Sequence, residues 1–244
     1  MKKKFPLSVL MTFGWLFSLG QSDDYSKVLQ TRSNGVYEHY QDLFIATILS
    51  GKGYYLDYKG AKRSPYFGDN GLEFGTLIYD GVTFRNIAIL YNLYTQQLVV
   101  QHESKNDTQL VILDSDKVSE FSINKYEFVN IRMDSVMNSG IYQLAYRGLN
   151  SSLFVKRTMD KDEEFGIQEV TLDFSPKNEY YIINNLGSFL INSKKGLMKA
   201  YNNSPRLLSI MKENKIRFSK NLIENGLITV LSLLDPKIEV SYIP

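Results

Sequence analysis

Between Gly53 and Val100 the chain is a succession of short aromatic and β-branched runs broken by turn residues, and no other feature limits its fold so strongly. Tyr54-Tyr55-Leu56-Asp57-Tyr58 is followed by a polar stretch to Gly75. Then come residues 76–79, the pair Asp80-Gly81, and residues 82–84, 87–91 and 98–100. Runs of this length, rich in Tyr, Phe, Val, Ile and Thr and bounded by Gly, Asp and Asn, are the pattern of consecutive antiparallel strands. The pattern continues through residues 110–113, 118–123, 126–133, 141–146, 153–156, 170–174, 180–183 and 188–191. Asn124-Lys125, Gly148-Leu149-Asn150 and residues 184–187 supply turns. Residues 159–164 read as an acidic loop.

The composition changes after residue 192. Ser204 followed by Pro205 is a helix start, and Leu207, Leu208, Ile210 and Met211 give that helix an apolar stripe. A second helix fits 219–234, with Leu222, Ile223, Leu227, Val230, Leu231 and Leu234 near one face. Gly226 inside it costs about 1 kcal/mol relative to Ala. Asp235-Pro236 ends it, and 238–242 reads as a last edge strand. Residues 36–50 read as a helix or a strand. Their second half pairs best with 54–58 as a hairpin through Gly51-Lys52-Gly53. The expected fold is α+β, predominantly antiparallel β as a sandwich or half-barrel, with two C-terminal helices. Residues 21–192 form the β-rich part, and 193–244 pack on it in the same globular unit.

Residues 1–20 have the three parts of a cleaved signal peptide. Lys2, Lys3 and Lys4 precede an apolar run from Phe5 to Leu19, and Ser18 and Gly20 are small residues before a cut at Gln21. The run is shorter than the ~20 residues a span needs and is interrupted by Pro6 and Gly14. No later segment approaches membrane length, so no transmembrane segment is expected after cleavage. Removing the three lysines turns a formal charge of +2 slightly negative. With the remaining basic residues scattered, nucleic acid is not an expected partner. Cys is absent, which excludes disulfides, thiolate metal sites and a Cys nucleophile.

Taken together, several segments resemble a group of uncharacterised exported proteins of Bacteroidetes-type Gram-negative bacteria. They are Gly51-Lys-Gly-Tyr-Tyr-Leu-Asp-Tyr58, Pro65-Tyr66-Phe67, Gly75-Thr-Leu-Ile-Tyr-Asp-Gly81, Ile87-Ala-Ile-Leu-Tyr91 and the helical tail 207–234. Gln21 directly after the cut is also typical of that group. The resemblance implies the periplasm or an outer-membrane association, and supplies no mechanism.

The residues that carry chemistry form no catalytic signature. His39 and His102 have no Glu-x-x-His or His-x-His partner and read as structural. Gly-x-Ser-x-Gly, a Walker loop and a Gly-x-Gly-x-x-Gly turn are all missing. Asp160, Asp162 and Glu164 alternate as Ca²⁺ ligands would, but the Gly an EF-hand needs falls one position late, at Gly166. Asp114 and Asp116 are a weaker case of the same kind. Dispersed carboxylates for glycoside hydrolysis stay open among 26 acids. Tyr54, Tyr55, Tyr58, Tyr66 and Phe67 either fill a core or stack on sugar rings. Asp134-Ser135-Val136 matches a short O-glycan acceptor.

The expected function is recognition without catalysis. An exported envelope protein would bind or scaffold another envelope protein, with no cofactor and no metal. The contact expected is the loop 59–75, long for a β protein, with Tyr66 and Phe67 as anchors beside Lys62 and Arg63. The alternative is a β protein that binds a glycan or small ligand, and the second alternative is a carboxylate-dependent hydrolase.

Overall fold

The computed structural model describes residues 52–236 apart from positions 57, 59, 69, 70, 105, 106, 133, 166–169, 220 and 221. These residues belong to one compact unit, 45–244. The expected signal peptide, the 36–50 element, His39 and the edge strand at 238–242 lie outside them.

The described residues form eleven strands and three C-terminal helices, an α+β fold dominated by antiparallel β-structure. The first five strands are β1 (Lys52–Gly53), β2 (Glu73–Tyr79), β3 (Val82–Asn92), β4 (Gln97–Ser104) and β5 (Asp107–Ile112). The next three are β6 (Val118–Ile123), β7 (Tyr126–Ile131) and β8 (Gly140–Arg147). The last three are β9 (Ser151–Phe165), β10 (Val170–Asn184) and β11 (Gly187–Leu190). The helices are α1 (Lys194–Ala200), α2 (Pro205–Glu213) and α3 (Ile223–Leu234).

All eleven strands join one open sheet in the order β1-β5-β4-β3-β2-β6-β7-β8-β9-β10-β11, rather than the two sheets of a sandwich. Two meanders, β2 to β5 and β6 to β11, meet where β2 pairs with β6. Asp80 and Gly81 both have positive φ, as the tight turn between β2 and β3 requires. The extra residue of the bulge in β3 is Asn86, also at positive φ, opposite Gly75 and Thr76.

The sheet is strongly curled. Strands in a flat sheet stand ~4.8 Å apart, so β3 and β9, five intervals apart in the order, would be separated by roughly 24 Å. Instead the turn after β3 hydrogen-bonds to β9. The Met159 amide donates to the Leu93 carbonyl (3.2 Å), and Gln96 Nε2 donates to the Arg157 carbonyl (2.9 Å).

Residues opposite one another in register share a face. At one end, Tyr91, Phe121 and Phe128 form an aromatic core, with the rings of Phe121 and Phe128 stacked at 4.6 Å. At the other end, Tyr146, Leu153, Val155, Tyr180 and Ile182 are covered by Leu197, Leu207, Leu227, Val230 and Leu231 of the three helices. Sheet and helices therefore share one core.

The structure corrects several expectations. The acidic stretch 159–164 is strand, part of a ribbon in which β9 pairs with β10 from Ser151↔Asn184 to Phe165↔Val170. Alternation of Asp160 and Asp162 is the period of a strand, not of a Ca²⁺ loop. Residues 170–174 and 180–183 are one strand running through Pro176. Opposite it, Met159 points its amide away from β10, toward Leu93. In such a pair the proline nitrogen also points outward, where β11, paired only with residues 181–184, does not reach.

Tyr54, Leu56 and Tyr58 are not in a strand. The Tyr54 amide bonds the Leu110 carbonyl, and Tyr58 lies edge-on to Phe174 at 5.1 Å. Three helices replace the two expected. α1 was missed, although Ser193 caps it through the Gly196 amide. α3 starts at Ile223 rather than 219 and runs through Gly226 unbroken. A β-carbon on Gly226 would stand 2.9 Å from Ile216 Cγ2, so the glycine admits the preceding turn.

Candidate ligand cleft

An opening of about 810 Å³ lies between the outer edge of β10 and the N-terminal turn of α3. β11 is short, so among the described residues Pro176, Lys177 and Asn178 have no strand neighbour on this side, and they form one wall. Leu190 to Asn192 close one end. Phe218, Ser219, Ile223, Glu224 and Asn225 form the opposite wall. The lining combines three carboxamides (Asn178, Asn192, Asn225) with Tyr180 and Phe218.

The floor is held by an ion pair between sheet and helix. Arg157 on β9 gives Nη1 and Nη2 to the two carboxylate oxygens of Glu224 at 2.8 and 2.6 Å, and Nε to Gln143 Oε1 at 2.8 Å. Gln143 is buried and opposes Val155 in register, so it projects from the face the helices cover. Both oxygens of Glu224 are occupied, which ties up the cleft's deepest carboxylate. Tyr180 stands beside this pair; burial pushes its phenol above the ordinary range, partly offset by a hydrogen bond with Asn178.

A second anchor fixes the far end of α3. Asp235 is buried, and its Oδ2 accepts from the amides of Asn150 (2.9 Å) and Ser151 (2.7 Å) and from Ser151 Oγ (2.7 Å). Oδ1 accepts from Asn150 Nδ2 at 3.1 Å, and the Tyr146 hydroxyl donates to the Asp235 carbonyl at 2.5 Å. Burial works to raise the Asp235 pKa, but the hydrogen bonds from Ser151 and Asn150 outweigh it and hold the carboxyl below its ordinary 3.8. The wall of the cleft is thus clamped at both ends of one helix.

The four residues expected to form a contact separate into two pairs. Lys62 and Arg63 are exposed; the Lys62 amide bonds the Leu172 carbonyl, and Arg63 makes a two-pronged pair with Asp173 at 2.7 and 2.8 Å. Tyr66 and Phe67 are turned inward and half-buried. Phe67 lies edge-on to Tyr126 and Phe128 at 5.2 and 4.9 Å, and its amide bonds the Tyr91 carbonyl. Tyr66 shares a hydroxyl–hydroxyl bond with Tyr54 (3.1 Å), which accepts from the buried Asn92 (2.8 Å). The segment is stitched across the sheet, and only its basic half faces outward.

Among the described residues no group of three His, Cys, Asp or Glu side chains is placed to hold a metal ion, and no helix is long and apolar enough to cross a membrane. Asp114 caps a 3₁₀ turn through the Asp116 amide. Asp134 of the O-glycan motif accepts from the amides of Val136 and Met137 and from Ser188. The cleft residues were missed in the sequence. Asn178 and Tyr180 come from the middle of a ribbon and Glu224 and Asn225 from a helix, and only the run Lys177-Asn178-Glu179 inside an apolar strand pattern hinted at them.

No family model, curated protein or solved structure matches the chain.

Proposed function

We propose that the protein is an exported, non-catalytic binding protein of the cell envelope, and that the cleft between β10 and α3 takes a small, uncharged, hydroxyl-rich ligand of carbohydrate type. The observation that carries this reading is the lining. Three carboxamides, each offering donors and an acceptor, line the space together with Phe218 and the largely buried Tyr180, and its volume is within the size range of ligand pockets. Amides match pairs of neighbouring hydroxyls, and an aromatic ring covers the apolar face of a sugar. The saturated Arg157–Glu224 pair leaves that carboxylate without the freedom an acid or base needs, which favours binding over hydrolysis.

The test is calorimetric titration of the mature chain with a panel of mono- and oligosaccharides. Saturable binding should be lost in Asn178→Ala with Asn225→Ala while the melting temperature is kept. Absence of binding by any saccharide at millimolar concentration would remove the cleft reading. Capture of an envelope protein that depends on Lys62 and Arg63 would then favour protein recognition. Export is tested separately: the envelope form should begin at Gln21, and an intact Met1 on that form overturns it.

A further inference from the structure

We propose that a second cleft, at the junction of β7 and β8, binds a small oxyanion (a carboxylate or phosphate group) between Lys156 and Arg132. The opening is about 450 Å³ and lies among the end of β7, the start of β8 and the 3₁₀ turn at Ser115–Lys117. It shares no lining residue with the β10–α3 cleft, so it stands independently of the reading given for that site.

The two cations are placed in different ways. Lys156 projects from β9 over the Tyr142 ring, with Nζ 4.8 Å from the ring centroid, and is half-buried. Gly140 makes room for it: a β-carbon there would collide with Nζ, and its φ of +138° is one that residues with side chains rarely adopt. Arg132 is exposed and gives Nη2 to the Asp116 carbonyl; among the described residues nothing bonds Nε or Nη1, and they can reach a ligand.

Among the described residues neither cation forms an ion pair. Lys156 stands opposite Glu179 in register, but the Glu179 carboxylate accepts the Tyr181 hydroxyl at 2.8 Å. Burial lowers the Lys156 pKa, and the charge of Glu179 only partly opposes this. A half-buried ammonium without a bonded anion is costly unless something completes it. Among the described residues Asp116 is the one acid lining the cleft, and it is exposed. Ammonium and guanidinium offer donors only, so the fitting ligand is an acceptor with negative charge.

The experiment is calorimetric titration of the full chain with inorganic phosphate and, separately, with acetate, at ionic strength held constant with chloride. Saturable binding of at least one anion is expected, weakened about tenfold or more in Lys156→Met and by a smaller factor in Arg132→Gln. Asn178→Ala should bind as the parent does. Phosphate binding without acetate binding identifies a phosphate group, and comparable binding of both identifies a carboxylate-sized site. No saturable binding, or equal binding by the parent and both variants, overturns the proposal. Should Lys156→Met fail to fold, Arg132→Gln, altered at an exposed side chain, decides alone.

Discussion

Arg157 grips Glu224 with both terminal nitrogens, at 2.8 and 2.6 Å, and so ties the middle of the longest ribbon to the first turn of the last helix. Both side chains are less than a third exposed. Removing one partner strands the other charge in a poorly solvated place. Glu224→Ala and Arg157→Ala should each cost about 2–3 kcal/mol in denaturant unfolding. Arg157→Met with Glu224→Met should cost clearly less than the two single changes together, because no unpaired charge remains. Additive losses would show that the pair contributes nothing as a pair.

Asp235 predicts an acid-sensitive anchor. Its folded pKa lies below the ordinary 3.8, so the contribution is fully present above the unfolded value. It fades as the pH falls through the unfolded value and then through the lower folded one. Asp235→Asn should lose about 2 kcal/mol near pH 7, the magnitude of hydrogen bonds to a charged group. The gap between parent and variant should narrow below about pH 4. Parallel stability curves down to pH 2 would show that the carboxylate's charge is not what holds the helix end.

Phe67 decides between contact and core for the segment 59–75. Two rings lie edge-on to it, so Phe67→Ala should lower stability by about 3 kcal/mol. Lys62→Ala, at an exposed side chain, should change it by less than about 0.5 kcal/mol. Equal melting temperatures for Phe67→Ala and the parent would return the aromatic pair to the list of exposed anchors.

At Gly75 the backbones of β2 and β6 leave no room for a side chain. A β-carbon there would overlap the Ser122 carbonyl oxygen, which is backbone and cannot swing away. Gly75→Ala should therefore destabilise by several kcal/mol, more than an ordinary strand glycine change. Gly81→Ala, where space is open but φ is +78°, should cost less, about 1 kcal/mol. The order of the two midpoints in urea checks this.

The elements legible in the sequence are those whose side chains alternate between one wet and one dry face. β6 and β7 meet at Asn124-Lys125 as their pattern indicates, with Phe121, Ile123 and Phe128 inward. The outer half of the β9–β10 ribbon was illegible for a physical reason. Asp160 to Glu163 carry charge at every position in turn, and Asp160, Lys161, Asp162 and Glu163 are all exposed, so no apolar face marks a strand. Helix α2 announced itself through Ser204-Pro205 and its stripe, whereas α1 is too short for a periodicity to emerge. The clamps at each end of α3 join residues 67 and about 85 positions apart, and no local pattern reports such a pairing. Asp235 was visible only as a helix terminator.

The turn after β3 bonds to β9 across a sequence gap of 61 positions at Gln96 and Arg157. This contact has a kinetic meaning. It has no partner until the intervening strands β2, β6, β7 and β8 have bent the sheet around, so its loop-closure entropy is met only after they pair. The Met159 amide, whose acceptor is the Leu93 carbonyl, should gain protection from solvent exchange later in refolding than amides within β6 and β7. The same dependence runs in reverse under strain. Loosening any one of those strands should release a hydrogen bond several strands away, so the expected unfolding of the curled sheet is cooperative rather than a peeling from the side.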